Sequence, residues 1–247
     1  MTPPKSLIAL SLHKAGSSIF DRIVQDVAQA RGYTLDLIAS EVSDSPLPEK
    51  DIFINAQARM RDDGVYYGVA RGPYVRRMPR ILDLRALVQV RDPRDCITSA
   101  FFSFSQSHRP PRNPAKLAEF HRRRETVRQT DIDAYALRQT GQYRERLEVL
   151  ARIIDAHGDI RLLKYEEMVL ETERWLARIA AFLDQPVTPE LRAQLGDKLD
   201  FNVAAEDVGS HKRQVMPGDH RRKLRPETIA AMNADLAEML ARFGYPA

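Results

Sequence analysis

The sequence predicts an α/β protein with a mainly parallel central sheet and helices on both of its faces. Short apolar runs of strand length, such as residues 7–10 and 86–90, alternate along the chain with stretches of helical periodicity. These runs are almost wholly apolar, Gln89 being the one polar residue in the two, rather than apolar on every second residue, as suits strands covered on both sides. No internal repeat or low-complexity linker divides the 247 residues, 43% of them hydrophobic, so a single domain over 1–247 is expected.

The first strand, residues 7–10, passes through His13-Lys14-Ala15-Gly16-Ser17-Ser18 into a helix. Ile19, Phe20, Ile23, Val24, Val27 and Ala28 recur there at helical spacing, and Gly32 supplies the stop. Residues 34–39 predict a second strand, 43–50 a proline-containing surface loop, and 51–55 either a strand or a buried turn. A further strand over 64–70 runs into Arg71-Gly72-Pro73-Tyr74, and 76–83 reads as a short helix broken near Pro79. After the strand 86–90, Asp92 is a good N-cap and Pro93 suits the first turn of a helix reaching about Ser107. Pro110, Pro111 and Pro114 then force a break. Helices follow over 114–128 and 131–156, then a strand over 160–165 and a helix carrying Trp175, Leu176, Ile179 and Phe182. Residues 191–199 read as helix, and the charged, aperiodic 208–224 as loop or lid. Residues 226–243 close the chain as an amphipathic helix with Gly244 just past its end.

Composition narrows the function classes. The lone Cys96 excludes an internal disulfide and a cysteine-based metal site, and the six histidines show no ligand spacing, so no metal is expected. No run approaches a membrane span and no secretory signal is visible, so a cytoplasmic protein is expected. The formal charge is +4, with basic clusters over 71–80, 109–124 and 211–225. Such clusters are solvated faces or attract an anionic cofactor or acceptor. They lack interleaved aromatics, which argues against nucleic acid.

Two places suit anions. In the first turn, the opening amides of a helix have no partner within it, and the helix dipole favours negative charge. Gly16 lets backbone approach a ligand, Ser17 and Ser18 add hydroxyls, and Lys14 adds a mobile charge. This is not a Walker loop, because the lysine comes two positions before the glycine instead of following it. In the second place, Arg91 ends a strand and Ser99 follows eight residues later on the next helix. At about 1.5 Å of helix rise per residue, both reach one phosphate beside the sheet edge. The plain alternative is that Arg91 pairs with Asp95 and that Ser99 is a helix-surface residue.

Together, four segments in order resemble the PAPS-dependent sulfotransferases, PAPS being 3′-phosphoadenosine 5′-phosphosulfate. LHKAGSSIF resembles the 5′-phosphosulfate loop, and VQVRDPRDCITSAFFSF the 3′-phosphate element with its arginine and serine eight apart. LLKYEEMVLETERWLARIAAFLDQPV resembles the Y-E-D-[LM] strand end and its following helix, and HKRQVMPGDHRRKL the closing R-K-G-x-x-G-D-W loop. The resemblance implies the P-loop-kinase-like sulfotransferase fold, with PAPS as co-substrate and PAP as product. It implies Lys14 at the sulfate, Lys14, Ala15, Gly16, Ser17 and Ser18 around the 5′-phosphate, Arg91 and Ser99 at the 3′-phosphate, and Arg213 on the closing loop. In that loop Gln214, Val215 and His220 depart from the pattern.

The reaction so implied is in-line transfer of a sulfuryl group to an acceptor hydroxyl, on a saccharide or small metabolite. A base must take the acceptor's proton. The histidine that small-molecule cytosolic enzymes supply ahead of the 3′-phosphate strand is missing here, because no histidine lies between His13 and His108. His108 is preferred as base, on the expectation that its helix end borders the acceptor. Asp36 and Glu41 are alternatives, by likeness to carbohydrate sulfotransferases that use a carboxylate soon after the first helix. Competing readings are an ATP-dependent phosphoryl-transfer enzyme and a non-catalytic nucleotide-binding module. Phe101, Phe102 and Phe104 are open between an acceptor pocket and core packing, and the 109–124 charges between a lid and a solvated face.

Overall fold

The computed structural model describes residues 3–201 and 215–247. Strands β1 (Leu7–Ser11), β2 (Thr34–Leu35), β3 (Val65–Arg71), β4 (Arg85–Val90) and β5 (Ile160–Lys164) form one parallel sheet in the order β2-β3-β1-β4-β5. β1 sends Leu7 and Ala9 to one face and Ile8 and Leu10 to the other, and all four are fully buried. This is why the run carries no polar residue: neither face meets water. The first face is covered by α1 (Ser17–Arg31), through Phe20, Ile23, Val24 and Val27, and by Trp175 and Ile179 of a later helix, Thr172–Phe182. The second is covered by Leu147 and Leu150 of the 25-residue helix Ile132–Ala156 and by Met232, Leu236 and Leu240 of the terminal helix Pro226–Phe243.

Connectivity fixes where a ligand belongs. From β1 the chain crosses to the edge strand β2 and comes back through β3, then passes to β4 and β5 on the other side of β1. The carboxyl ends of β1 and β4 therefore flank the point where the strand order reverses, the usual crevice of open parallel sheets. Register places Ser11 beside Gln89, so the turns that follow them leave the sheet as neighbours.

Several expectations need correcting. Residues 51–55 lie within helix α2 (Glu49–Ala56), which buries Ile52, Phe53 and Ala56. Pro48 precedes it, and Glu49 and Asp51 stand in its first turn, where the helix dipole favours them. The strand predicted over 34–39 shrinks to Thr34–Leu35, followed by a 3₁₀ turn over Ile38–Ser43. Residues 76–83 form parts of two 3₁₀ turns, Pro73–Arg77 and Pro79–Asp83, because Pro79 opens a new turn. Helix α3 (Pro93–Phe102) carries the expected Asp92 cap, Oδ1 accepting from the Arg94 amide at 2.9 Å, and ends in a π turn over Ser103–Ser107. Two further helices, α4 (Pro114–Arg128) and α5 (Ile132–Ala156), fall where expected. The strand predicted to Tyr165 stops at Lys164, and α6 (Tyr165–Leu170) and α7 (Thr172–Phe182) follow. α8 (Pro189–Leu195) runs into a 3₁₀ turn, Gly196–Leu199. Within the supposed loop 208–224, Asp219–Lys223 is a short helix, α9, leading to α10 (Pro226–Phe243).

Candidate active site

The turn after β1 is held from below. Gln89 Nε2 donates to the Ala15 carbonyl at 2.8 Å, and the Ala15 amide donates to the Leu12 carbonyl at 3.3 Å. Ala15 consequently faces the core, fully buried, and does not line the cavity above. Lys14 sits at φ 70°, a left-handed conformation that β-carbon sterics disfavour. Gly16, at φ 68°, caps α1, and a β-carbon there would come within 2.7 Å of the Tyr165 ring. Only glycine meets both demands.

Beside this turn, Arg91 leaves β4. Its Nη1 donates to the Lys14 carbonyl at 3.1 Å, and its guanidinium lies 4.2 Å over the Tyr165 ring. Arg91 is 4% exposed, and among the described residues its Nε has no hydrogen-bond partner. Nη2 is 3.7 Å from Asp95, so the plain pairing foreseen from sequence is present as well. Lys14, Gly16, Ser17, Ser18, Arg91 and Ser99 all line one cavity of about 220 Å³. The two anion elements meet.

Asp95 links this wall to the C-terminal segment. Its carboxylate accepts from the amides of Gly218 at 2.7 Å and His220 at 3.0 Å, and from His220 Nδ1 at 2.6 Å. Burial alone would raise the Asp95 pKa, but the His220 ring and amide and the Arg91 guanidinium outweigh it and hold the group below the usual carboxylate range. The position where the closing-loop pattern has tryptophan is thus occupied by a buried histidine tied to α3. Tyr165 adds a second tie, its hydroxyl donating to the Val215 carbonyl at 2.7 Å. Arg213 lies outside the described residues.

His108 follows the π turn, its amide donating to the Ser103 carbonyl at 2.7 Å and its ring packed against Phe104 and Phe120. It lines the cavity that holds Lys14. Asp36 and Glu41 do not: both are bound by Arg59 at the protein surface. The strand expected over 34–39 ends at Leu35, one residue before Asp36. Of the phenylalanines, Phe101 packs edge-on against Phe102 and Tyr135, while Phe104 lines a cavity next to His108.

Sequence reading missed two groups here. His13 also lines the Lys14 cavity, and burial, reinforced by Arg71, Arg146, His108 and Lys14, holds its pKa well below the ordinary histidine value. Glu49 borders the adjoining space, its carboxylate accepting from the Tyr74 hydroxyl at 2.9 Å, with burial pushing its pKa up. His13 was legible as the residue before Lys14. Glu49 was not, because its place depends on α2.

Comparison with known proteins agrees with this geometry. A family model described as "Sulfotransferase domain" matches residues 80–244, about two thirds of the chain. No curated protein matches the chain. Among solved structures, a mouse sulfotransferase complexed with PAP superposes with a TM-score of 0.63 at 16% identity, over 96% of this chain and 84% of that one. A retinol dehydratase in complex with androsterone and PAP gives 0.61 at 16% identity, over 97% and 82%. A sulfotransferase from Mycobacterium avium gives 0.54 at 11% identity, over 100% and 78%. At such identities these structures speak for the fold alone, and the fold is the one the four sequence segments implied. No described helix is long and apolar enough to cross a membrane. With its matched domain spanning everything from the second anion element to the last helix, the chain belongs to the sulfotransferase domain family.

Proposed function

We propose that the protein moves the sulfuryl group of PAPS to an acceptor hydroxyl, the nucleotide being gripped between the Lys14 turn and the Arg91–Ser99 element. The observation that carries this reading is the contact of Arg91 with the Lys14 carbonyl inside one cavity. The residues present fit a bis-phosphorylated nucleotide. Lys14, Arg22 and Arg91 supply positive charge, Ser17, Ser18 and Ser99 supply hydroxyls, and the buried Arg91 Nε is a donor awaiting an acceptor. A walled cleft with few, convergent polar groups is the usual form of such a site.

PAPS supplies the activated sulfuryl group. The acceptor oxygen bonds to sulfur as the bond from sulfur to the 5′-phosphate oxygen breaks, and the acceptor's proton passes to a base. The protein's tasks are to align the reactants and to stabilise charge on the leaving oxygen. Lys14 and the first amides of α1 face that work, with no proton transfer required of them. For the base we retain His108, which lines the cavity. His13 is a second reading favoured by its environment: burial and the neighbouring cations keep its imidazole neutral, the form that accepts a proton.

Calorimetry tests the nucleotide assignment. Binding of PAP with none of ATP–Mg is expected, and the reverse would point to phosphoryl transfer. Turnover of PAPS against a panel of hydroxyl acceptors excludes the non-catalytic module. His108→Gln and His13→Gln separate the bases: the true one loses about 100-fold or more in kcat with PAP affinity intact, and equal, small losses in both sink this part of the reading.

A further inference from the structure

Beside the nucleotide cavity the protein carries a second cationic space, which shares His13, His108 and Arg71 with the first. Two hollows of about 260 and 520 Å³ share Glu49, His108 and Arg123 in their walls, and His13 lines the smaller. Their walls bring together Arg71 from β3, Arg109, Lys116 and Arg123 from the segment through α4, and Arg146 from α5. Among the described residues of these walls, one carboxylate stands against the cations, Glu49, already engaged by Tyr74.

The neighbouring arginines behave differently. Arg76 pairs with Glu145, Arg112 with Asp44 and Arg122 with Glu119. Among the described residues, Arg71, Arg123 and Arg146 have no carboxylate within ion-pair distance, although Arg71 and Arg146 lie near enough to Glu49 to favour its charged form, and the Nε atoms of Arg71 and Arg146 are buried without a hydrogen-bond partner. Arg123 and Arg146 instead lie over the rings of Phe104 and Tyr143, which fixes the guanidinium planes and leaves their edges for a ligand. Like charges gathered around a partly buried hollow repel one another, and an oxyanion relieves that repulsion while accepting from the guanidinium groups that line it.

We infer that the acceptor is a small hydroxyl compound carrying its own oxyanion, a carboxylate or sulfate held by Arg71, Arg123 and Arg146, with its hydroxyl toward His13 and His108. This rests on the sulfotransferase reading and extends it to the substrate class. The volumes suit a molecule of monosaccharide or small aromatic size. The 109–124 charges thus divide. Arg112 and Arg122 belong to solvated pairs, while Arg123 and Lys116 line the hollow.

The test uses isosteric pairs that differ only in charge: methyl glucuronide against its carboxamide, and 3-hydroxybenzoate against 3-hydroxybenzamide. Binding of each to the PAP-loaded protein is measured by calorimetry, and kcat/KM with PAPS is measured alongside. In at least one pair the carboxylate is expected to bind about tenfold tighter than the amide. Arg123→Gln combined with Arg146→Gln should bring that ratio close to one while leaving PAP affinity unchanged. Glutamine keeps helix propensity at both positions, and the PAP measurement reports whether the variant is folded. Equal or weaker binding of the carboxylate in both pairs, or a preference that survives the double substitution, overturns the proposal. Failure of the unmodified protein to bind PAP at all would instead remove the sulfotransferase reading, and the acceptor assignment with it.

Discussion

The two sides of the histidine pair are built in opposite ways. On the nucleotide side, functional groups come from two turns at adjacent strand ends, and the main chain itself participates: Arg91 grips the Lys14 carbonyl, and Gln89 fixes Ala15 beneath it. On the proposed acceptor side, the groups are tips of long side chains from β3, α2, α4 and α5, brought together by the packing of separate elements. The first construction is rigid and suits one invariant ligand. The second can be altered residue by residue without touching the sheet.

This contrast breaks most readily at Lys14. Lys14→Ala is expected to lower kcat by about 100-fold or more, read in single-turnover assays, because it removes a charge aimed at the leaving oxygen. A loss confined to KM would place the lysine in ground-state binding only. Next is Gly16→Ala, which forces a β-carbon into the Tyr165 ring from a left-handed backbone. It should destabilise the fold by about 1–3 kcal/mol and abolish measurable PAP binding. Thermal unfolding and calorimetry check both.

Asp95 sharpens the comparison through pH. Its folded pKa lies below the unfolded value near 3.9, so its contribution to stability is complete above about pH 4. That contribution is lost as the pH falls through the lower, folded value. Asp95→Asn should cost about 1–3 kcal/mol at neutral pH, and the acid limb of the stability curve should flatten. An unchanged acid limb would show that the carboxylate does not govern it. Ser99→Ala removes one hydroxyl from the cavity wall and should weaken PAP binding by only several-fold. The smallest effect is assigned to Asp36→Asn, with kcat within about twofold of the parent, since its partner is the surface Arg59.

The same division governs what was legible in the sequence. β1, its turn and α1 were readable because an apolar run, small residues and a glycine stop all lie within one continuous stretch. The β4–α3 unit was readable from Asp92 and Pro93 in the same way, and the terminal helix from its periodicity and Gly244. What escaped depended on distant partners. Residues 219–223 carry a run of charge with no periodicity, yet they form a helix. The amides just before and within it are held by Asp95, more than 120 residues earlier. The Ile52-Phe53-Ile54 run has strand composition but lies on a helix, because Ile52 and Phe53 are buried in the core cluster that also holds Ile38 and Val75, with Phe53 against the Tyr74 ring. Glu49 escaped for the same reason, and so did the sorting of 109–124 into paired and unpaired arginines.

One aromatic ring has a wider reach than its position suggests. Tyr165 lies under Gly16, stacks on Arg91 and tethers Val215 by its hydroxyl. A single post therefore supports both proposed phosphate-binding elements and the residue at Val215 that leads into α9. Evolution has no independent adjustment for these three: a change of that ring shifts nucleotide grip and C-terminal docking in one stroke, whereas the loss of its oxygen alone would sever the second and spare the first.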